Sequence, residues 1–364
     1  MDVGVFMLFQ NHPNLDQTDY QVYKNELKIC DMIEPLGFDS LWSVEHHFTN
    51  YTMCPNVVQF LSYMAGRTEN IKLGSAVIIV PWHKDPMRVA TDISMLDNMS
   101  DGRMLLGLGR GIGRVEYDGF GIDMNESRGR FHESCEMIMK GLEAGRFEAH
   151  EGDYFNQIAR DIRPAPLKSF ADRTYMACQS PESADVVAEF GAKLMVFAIS
   201  PWESRAADVG RYREGFRKHH GREPDPITAN VFMICDEDAG RAEEMANKYM
   251  PDYWQSALQH YEMDGTHFEG IKGFEFYAKS AGTMREMPGD RMGTMYTNNQ
   301  VHGTPQQCMD QINRIIELAG PINLNVAISF AGMPYDYVEK SVSLFANKVL
   351  PELKAIDTTV KAAE

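Results

Sequence analysis

Strand-like and helix-like segments alternate along most of the chain, and this alternation limits the possible folds more than any motif does. The opening run, Val3 to Leu8, is β-branched and aromatic and reads as a strand. Thr18-x-x-Gln21 then has capping-box spacing, with Val22, Leu27, Cys30 and Ile33 on a helical period that Gly37 ends. Further strands are expected over 38–44, 72–80, 103–109, 174–178, 193–199, 227–235 and 322–330. Helices are expected over 55–66, 86–98, 182–190, 204–219, 238–249, 305–319 and 334–354. The eight strands are short, rich in Val, Ile, Leu and Met, and lack strict polar alternation, which suits a parallel sheet covered on both faces. Over 364 residues they predict an α/β fold, a single (β/α)8 TIM-type barrel with insertions, as one domain spanning 1–364. An open doubly wound sheet is the competing layout; with no low-complexity linker dividing the chain, the barrel is favoured. Two stretches fit no repeat, 145–173 and the Gly-, Met- and charge-rich 263–302, and both are expected to be irregular. The second is a candidate lid, with a plain connector as the equal alternative.

Charge and cysteine usage narrow the function classes. Asp and Glu number 52 against 35 Lys and Arg, a net charge of −17 that would repel a polyanion, so nucleic-acid binding is disfavoured. No apolar run approaches the roughly 20 residues a membrane helix needs, and Met1-Asp2-Val3-Gly4 lacks the cationic lead of a signal peptide. The six cysteines are scattered without C-x-x-C spacing, which argues against disulfides and zinc and for a reduced, cytoplasmic protein.

In a barrel, chemistry collects at the carboxyl ends of the strands. The second strand ends in Glu45-His46-His47, where alternation sends Glu45 and His47 to one side and His46 to the other. Adjacent histidines cannot easily share one metal, and no other pair has ligand spacing, so no metal is expected. His46 suits a general base or hydrogen-bond donor, with a structural histidine as an even alternative. The fourth strand runs into Gly107-Leu108-Gly109-Arg110-Gly111-Ile112-Gly113, which is neither a dinucleotide fingerprint nor a P-loop. Its glycines permit close approach of a flat or anionic ligand, and turn glycines explain the run equally well. Gln179-Ser180-Pro181-Glu182-Ser183 is a helix cap or, more sharply, an anion seat that Arg110 and Arg128 could share. No G-x-S-x-G elbow occurs, so a serine hydrolase is unsupported.

The segment Phe38-Asp39-Ser40-Leu41-Trp42-Ser43-Val44-Glu45-His46-His47-Phe48-Thr49 closely resembles the second-strand region of the bacterial luciferase-like flavin monooxygenases, in particular the luciferase α subunit. Leu96-Asp97-Asn98-Met99-Ser100-Asp101-Gly102-Arg103, Gly107–Gly111, Asp123–Arg128 and Gly303-Thr304-Pro305-Gln306-Gln307-Cys308 extend the match in the same order. The resemblance covers essentially the whole chain and is loosest over 145–173 and 260–300. It implies a barrel that binds reduced FMN and inserts one oxygen atom from O2 into an aldehyde, ketone or similar apolar substrate through a flavin hydroperoxide. By position, Arg110 and Gly111 fall in the family's phosphate loop, with Arg128, Gln179, Ser180 and Ser183 completing the phosphate site. Ala76-Val77 falls where the family has a cis peptide beside the flavin ring. His46 matches the catalytic histidine, and Phe6, Glu45 and Trp254 match positions near the flavin and the substrate.

The resemblance further implies a separate NAD(P)H:flavin reductase as partner and a dimer, either of identical chains or with a homologous subunit. Two departures argue against light emission: Gly109 stands at the family's reactive cysteine, and one residue is inserted between Pro81 and Pro86. Residues 263–302 resemble the mobile loop of the catalytic subunit, which favours a catalytic chain over a non-catalytic flavin-binding one. A deazaflavin-dependent oxidoreductase of the same superfamily and a barrel hydrolase using Glu45 and His46 are the remaining alternatives.

Overall fold

The computed structural model describes residues 1–358. Eight parallel strands form the barrel: β1 Val3–Met7, β2 Ser40–Ser43, β3 Lys72–Ser75, β4 Met104–Gly109, β5 Thr174–Cys178, β6 Lys193–Phe197, β7 Ile227–Cys235 and β8 Ile322–Ala327. Neighbours in the sheet follow chain order, β8 returns to pair with β1, and β4 pairs with β5, so the sheet closes. The register sets Gly4 beside Ser40, Val5 beside Val326 and Thr174 beside Leu106. The eight-stranded parallel barrel expected from the alternation is therefore the fold.

The barrel interior explains two of its glycines. A Cβ on Gly74 would lie 2.0 Å from the Trp42 ring, and one on Gly4 would lie 2.3 Å from Ser40 Oγ. Both strands thus yield space to one indole, whose N–H donates to Ser40 Oγ at 2.7 Å. The buried amides of Asn230 and Asn325 bond to each other at 3.1 Å, so no polar group in this layer is stranded.

Helices surround the barrel: α1 Asp19–Ile33, α2 Val57–Ala65, α3 Pro86–Met99, α4 Arg114–Phe120, α5 Ser127–Ala144, α6 Pro181–Phe190 and α7 Trp202–His220. After them come α8 Ala239–Tyr261, α9 Glu275–Glu286, α10 Gly289–Asn298, α11 Pro305–Ala319, α12 Tyr335–Lys348 and α13 Leu350–Lys354. The capping box at Thr18 and Gln21 forms as its spacing predicts. Among the described residues no helix is long and apolar enough to cross a membrane.

Four expectations need correction. The strand expected over 72–80 ends at Ser75 and resumes only over Ile78–Ile79, because the Ala76–Val77 peptide between them is cis. Helix α8 does not stop near 249; it runs through Pro251 to Tyr261. The proline ring lies against α10, where a Cβ on Gly293 would come within 2.9 Å of it. Residues 263–302 are not irregular throughout: α9 and α10 occupy much of the stretch, and Val301–Gly303 pairs with the end of β7. Residues 145–173 include two small antiparallel pairs, 146–147 with 160–161 and 150–151 with 156–157.

Candidate active site

Side chains at the carboxyl ends of the strands enclose a cavity of about 190 Å³. Ten of the residues singled out in the sequence line it: Phe6, Glu45, His46, Ala76, Val77, Arg110, Gly111, Gln179, Ser183 and Trp254. Ser180 and Arg128 are not among the residues that line it.

His46 follows β2 and is held at both ring nitrogens. Its Nδ1 lies 2.9 Å from Glu116 Oε1, and its Nε2 lies 2.9 Å from the Tyr261 hydroxyl. Glu116, on α4, also accepts the His47 backbone N–H at 2.9 Å. His260, near the end of α8, points Nε2 at the same carboxylate oxygen from 3.6 Å and lays Nδ1 against Thr49 Oγ1 at 2.8 Å. Burial alone would raise the Glu116 carboxyl. The charge and hydrogen bond of His46, aided by His260, outweigh it and hold the pKa at about 2, so the group is an anion. Burial pushes the His260 imidazole the other way, towards the neutral form.

Glu45 and His47 share one side of the chain, as alternation predicts, with His47 Nε2 3.2 Å from Glu45 Oε1. The Glu45 carboxylate accepts from Ile79 N at 3.0 Å and Trp82 Nε1 at 2.8 Å, and faces His83 Nε2 at 3.1 Å. Burial opposes ionisation, but the bonds from His47, His83 and Trp82 keep its pKa at about 2. These contacts tie the β2 end to the chain just past the cis peptide, which places Ala76 and Val77 in the cavity wall.

The adjoining wall, at the β4 end, carries the cations. Arg110 Nη1 donates to the Gly273 carbonyl at 2.8 Å, and Arg128 Nη2 reaches the same oxygen at 3.4 Å. The Arg110 guanidinium also lies 4.2 Å from the centre of the Phe274 ring. A Cβ on Gly273, which has φ +83°, would fall 2.8 Å from Arg128 Nε. Two guanidiniums from α5 and the β4 end therefore converge on one acceptor supplied by the 263–302 segment. Nearby, Ser180 caps α6 in a full capping box: Ser180 Oγ accepts from Ser183 N at 3.3 Å, and Ser183 Oγ from Ser180 N at 2.9 Å. The cap forms, and it also brings Ser183 to the cavity. Buried Arg205, 3.4 Å from the Gln179 carbonyl, adds a third guanidinium on this side.

The remaining wall is aromatic. Trp254 stacks on Tyr296 with centroids 5.1 Å apart, Tyr253 lies 4.1 Å from Phe232, and Tyr253 and Tyr51 share a 2.6 Å hydroxyl contact. Sequence reasoning missed Glu116, His260, Tyr261, Tyr277 and Arg205. Only the α8 residues carried a usable signal, since Tyr253, Ala257 and Tyr261 repeat every four positions on one helical face.

A closed parallel barrel whose polar groups, cations and aromatic rings all gather at the strand carboxyl ends defines a (β/α)8 enzyme. The chain belongs to the luciferase-like monooxygenase family, which it matches over residues 1–321. It is thus a flavin-dependent monooxygenase by family. It is 28% identical over 364 residues to the alkanal monooxygenase alpha chain of Photorhabdus luminescens, covering 97% of this chain and 98% of that one. Solved structures also share the fold, among them three that span nearly the whole chain. Monooxygenase RslO1 of Streptomyces bottropensis superposes with a TM-score of 0.82 at 24% identity, covering 97% of this chain and 100% of that one. The oxygenating constituent of 3,6-diketocamphane monooxygenase from Pseudomonas putida, a Type II Baeyer-Villiger enzyme in complex with FMN, gives 0.75 at 18%, covering 97% and 99%. The coenzyme F420-dependent tetrahydromethanopterin reductase of Methanopyrus kandleri gives 0.69 at 21%, covering 96% and 99%.

Proposed function

We propose that this chain is the oxygenase of a two-component system, taking reduced FMN from a separate NAD(P)H:flavin reductase and inserting one atom of O2 into an apolar aldehyde or ketone. The observation that carries this reading is the convergence of Arg110 and Arg128 on a single oxygen acceptor at the rim of an aromatic cavity. Two guanidinium forks suit a phosphate better than a neutral carbonyl, because a phosphate offers opposite charge and several oxygens for bidentate pairing. Ser183 and Gln179 border the same space, and Ser180 sets the helix N-terminus behind them. The glycine run packs against the segment after β3: a Cβ on Gly109 would fall 2.2 Å from Val77 Cγ2, and one on Gly111 2.6 Å from Ile79 Cγ2. The residues present fit FMN: Arg110 and Arg128 would hold its phosphate, and Ala76, Val77 and the aromatic wall line the space left for its ring.

When bound and reduced, that cofactor supplies the electrons that activate oxygen. The chain's own groups do the rest. Phe6, Trp254 and the tyrosine wall take the apolar substrate and exclude water, which would otherwise divert the reaction. Glu116 holds a proton on His46 Nδ1, so His46 Nε2 is left to accept or return a proton through Tyr261. The segment 263–302, seated on both arginines by Gly273, serves as the lid of one barrel domain. Tyr63, Met95 and Met99, large apolar side chains exposed on α2 and α3, support a dimer across these helices. A monomer mass by light scattering at micromolar concentration would remove the dimer from the reading.

The deciding experiment is single turnover with reduced FMN and ¹⁸O2 in the presence of a long-chain aldehyde and a cyclic ketone. The expected result is FMN binding and one ¹⁸O atom in the acid or ester formed. Substrate turnover without label, or no binding of FMN but binding of a deazaflavin, would replace the oxygenase with the hydride-transferring alternative.

A further inference from the structure

His46, Glu116 and His260 stand at 46, 116 and 260 in the sequence, yet their donor atoms all lie within 4.8 Å of one another, and all three residues are buried. Neither Glu116 Oε2 nor His260 Nε2 makes a close hydrogen bond, on side chains that are each 1% exposed, and His260 Nε2 has only the 3.6 Å contact with Glu116 Oε1. A carboxylate and an imidazole left unsatisfied side by side call for a cation or a donor between them. Gly113 leaves this side of the pair without a side chain: a Cβ there would lie 2.4 Å from Glu116 Oε2 and 3.6 Å from His260 Nε2.

The surrounding contacts are those of ligands already oriented. Metal-binding histidines are normally held by a partner on the other ring nitrogen. His260 Nδ1 has Thr49 Oγ1 at 2.8 Å, and His46 Nε2 has the Tyr261 hydroxyl at 2.9 Å. The carboxylate is steadied by the His47 backbone N–H at 2.9 Å. Four-coordinate zinc places its ligands about 3.3 Å apart. His46 Nδ1 and His260 Nε2 lie 2.9 and 3.6 Å from Glu116 Oε1, on either side of that spacing, and the three ligand atoms lie within 4.8 Å of one another.

We propose that His46, Glu116 and His260 form a binding site for a divalent cation of the zinc class, with the fourth position open to water from the cavity. Two imidazoles and one carboxylate select zinc, cobalt or nickel over magnesium and calcium, which prefer all-oxygen sites. Binding displaces the proton that His46 Nδ1 otherwise shares with Glu116, so one proton leaves for solvent as the metal enters. The ion then holds the nitrogen that the proton occupied, and His46 is closed to proton transfer for as long as the metal stays.

The test uses the flavin-free full chain and cobalt chloride as probe, read by the visible absorption of four-coordinate Co(II), with zinc as competitor. One equivalent of cobalt should bind with that spectrum, and one equivalent of zinc should remove it. Each of His260→Gln and Glu116→Gln should weaken cobalt binding at least 30-fold while keeping the wild-type far-ultraviolet circular dichroism. The double variant His219→Gln/His220→Gln, at the exposed end of α7, should bind like the wild type. No stoichiometric binding below 100 micromolar cobalt would overturn the proposal. So would binding that survives His260→Gln or is abolished by the α7 variant. If both site variants misfold, protection of His46 from carbethoxylation by zinc decides: protection supports the site, and unchanged modification overturns it.

Discussion

His46 Nδ1 lies 2.9 Å from Glu116 Oε1, although the two residues are 70 positions apart and leave the barrel on different elements. With its carboxyl held at about 2, Glu116 is an anion across the neutral range, and an anion at Nδ1 fixes which imidazole nitrogen carries the proton. Glu116→Gln keeps the shape and removes the charge. Product formation should fall by about 100-fold, the lower range for loss of a general acid–base function, while FMN affinity changes less than threefold. Turnover and flavin binding measured on one preparation separate the two effects. Equal losses in both would make Glu116 a structural residue of the cavity.

Arg110 and Arg128 meet at the Gly273 carbonyl, so the phosphate assignment can be checked without turnover. Arg110→Ala should raise the dissociation constant of FMN by about 10- to 100-fold, the loss of one or two charge-assisted bonds at roughly 1.5–3 kcal/mol. Riboflavin has no phosphate, and its affinity should stay the same. Fluorescence titration with both ligands gives the comparison. A parallel loss for riboflavin would place Arg110 against the ring or the lid instead.

Two buried carboxyls should give the folded state opposite pH responses. Burial raises Glu26, on α1, to about 7, against the bonds from Ser329 and Tyr335. Its folded form binds the proton more tightly than the unfolded chain does, so this contribution is present below about pH 4.5 and is lost as the pH rises through 7. Glu45, lowered to about 2, behaves in reverse: its contribution is present above about 4.5 and is lost as the pH falls through 2. Either shift corresponds to about 3 kcal/mol at most. Urea unfolding from pH 4.5 to 8 should show a declining stability that Glu26→Gln flattens. A Glu26→Gln profile parallel to the wild type would mean that Glu26 is ionised when buried.

How much of this was legible in the sequence follows from how far each signal reaches. Periodicity and caps act over a few residues, and they located all eight barrel strands and the Thr18 capping box. The break at Ala76–Val77 lay outside periodicity, because neither residue type demands it; only the family resemblance pointed there. The expected helix over 238–249 ends short of Pro251, yet α8 carries that proline inside it and runs on to Tyr261, against the usual rule that a proline ends a helix. That truncation hid His260 and Tyr261. Arg110 and His46 could be named from strand ends, whereas the carboxylate that orders His46 comes from a helix 70 residues away. Contacts of that kind are set by barrel closure, and no spacing along the chain encodes them.

Gly109 gives a last prediction, and it concerns why this barrel departs from its relatives at one point. The resemblance puts a cysteine there. In this chain a Cβ on Gly109 would lie 2.2 Å from Val77 Cγ2 and 3.2 Å from Ile79 Cδ1. Val77 is 6% exposed and cannot swing into solvent. The glycine and the valine therefore fit as a pair, and the side chain that would have come from β4 is supplied from the segment after β3. Gly109→Cys alone should cost about 1–3 kcal/mol through overpacking and lower the affinity for FMN. Val77→Ala removes the methyls in the way, so the double variant should recover at least half of that loss, a coupling that distant sites do not show. Urea midpoints of the two single variants and the double variant form the cycle. Additive losses would mean that Val77 and Gly109 do not compete for the same space.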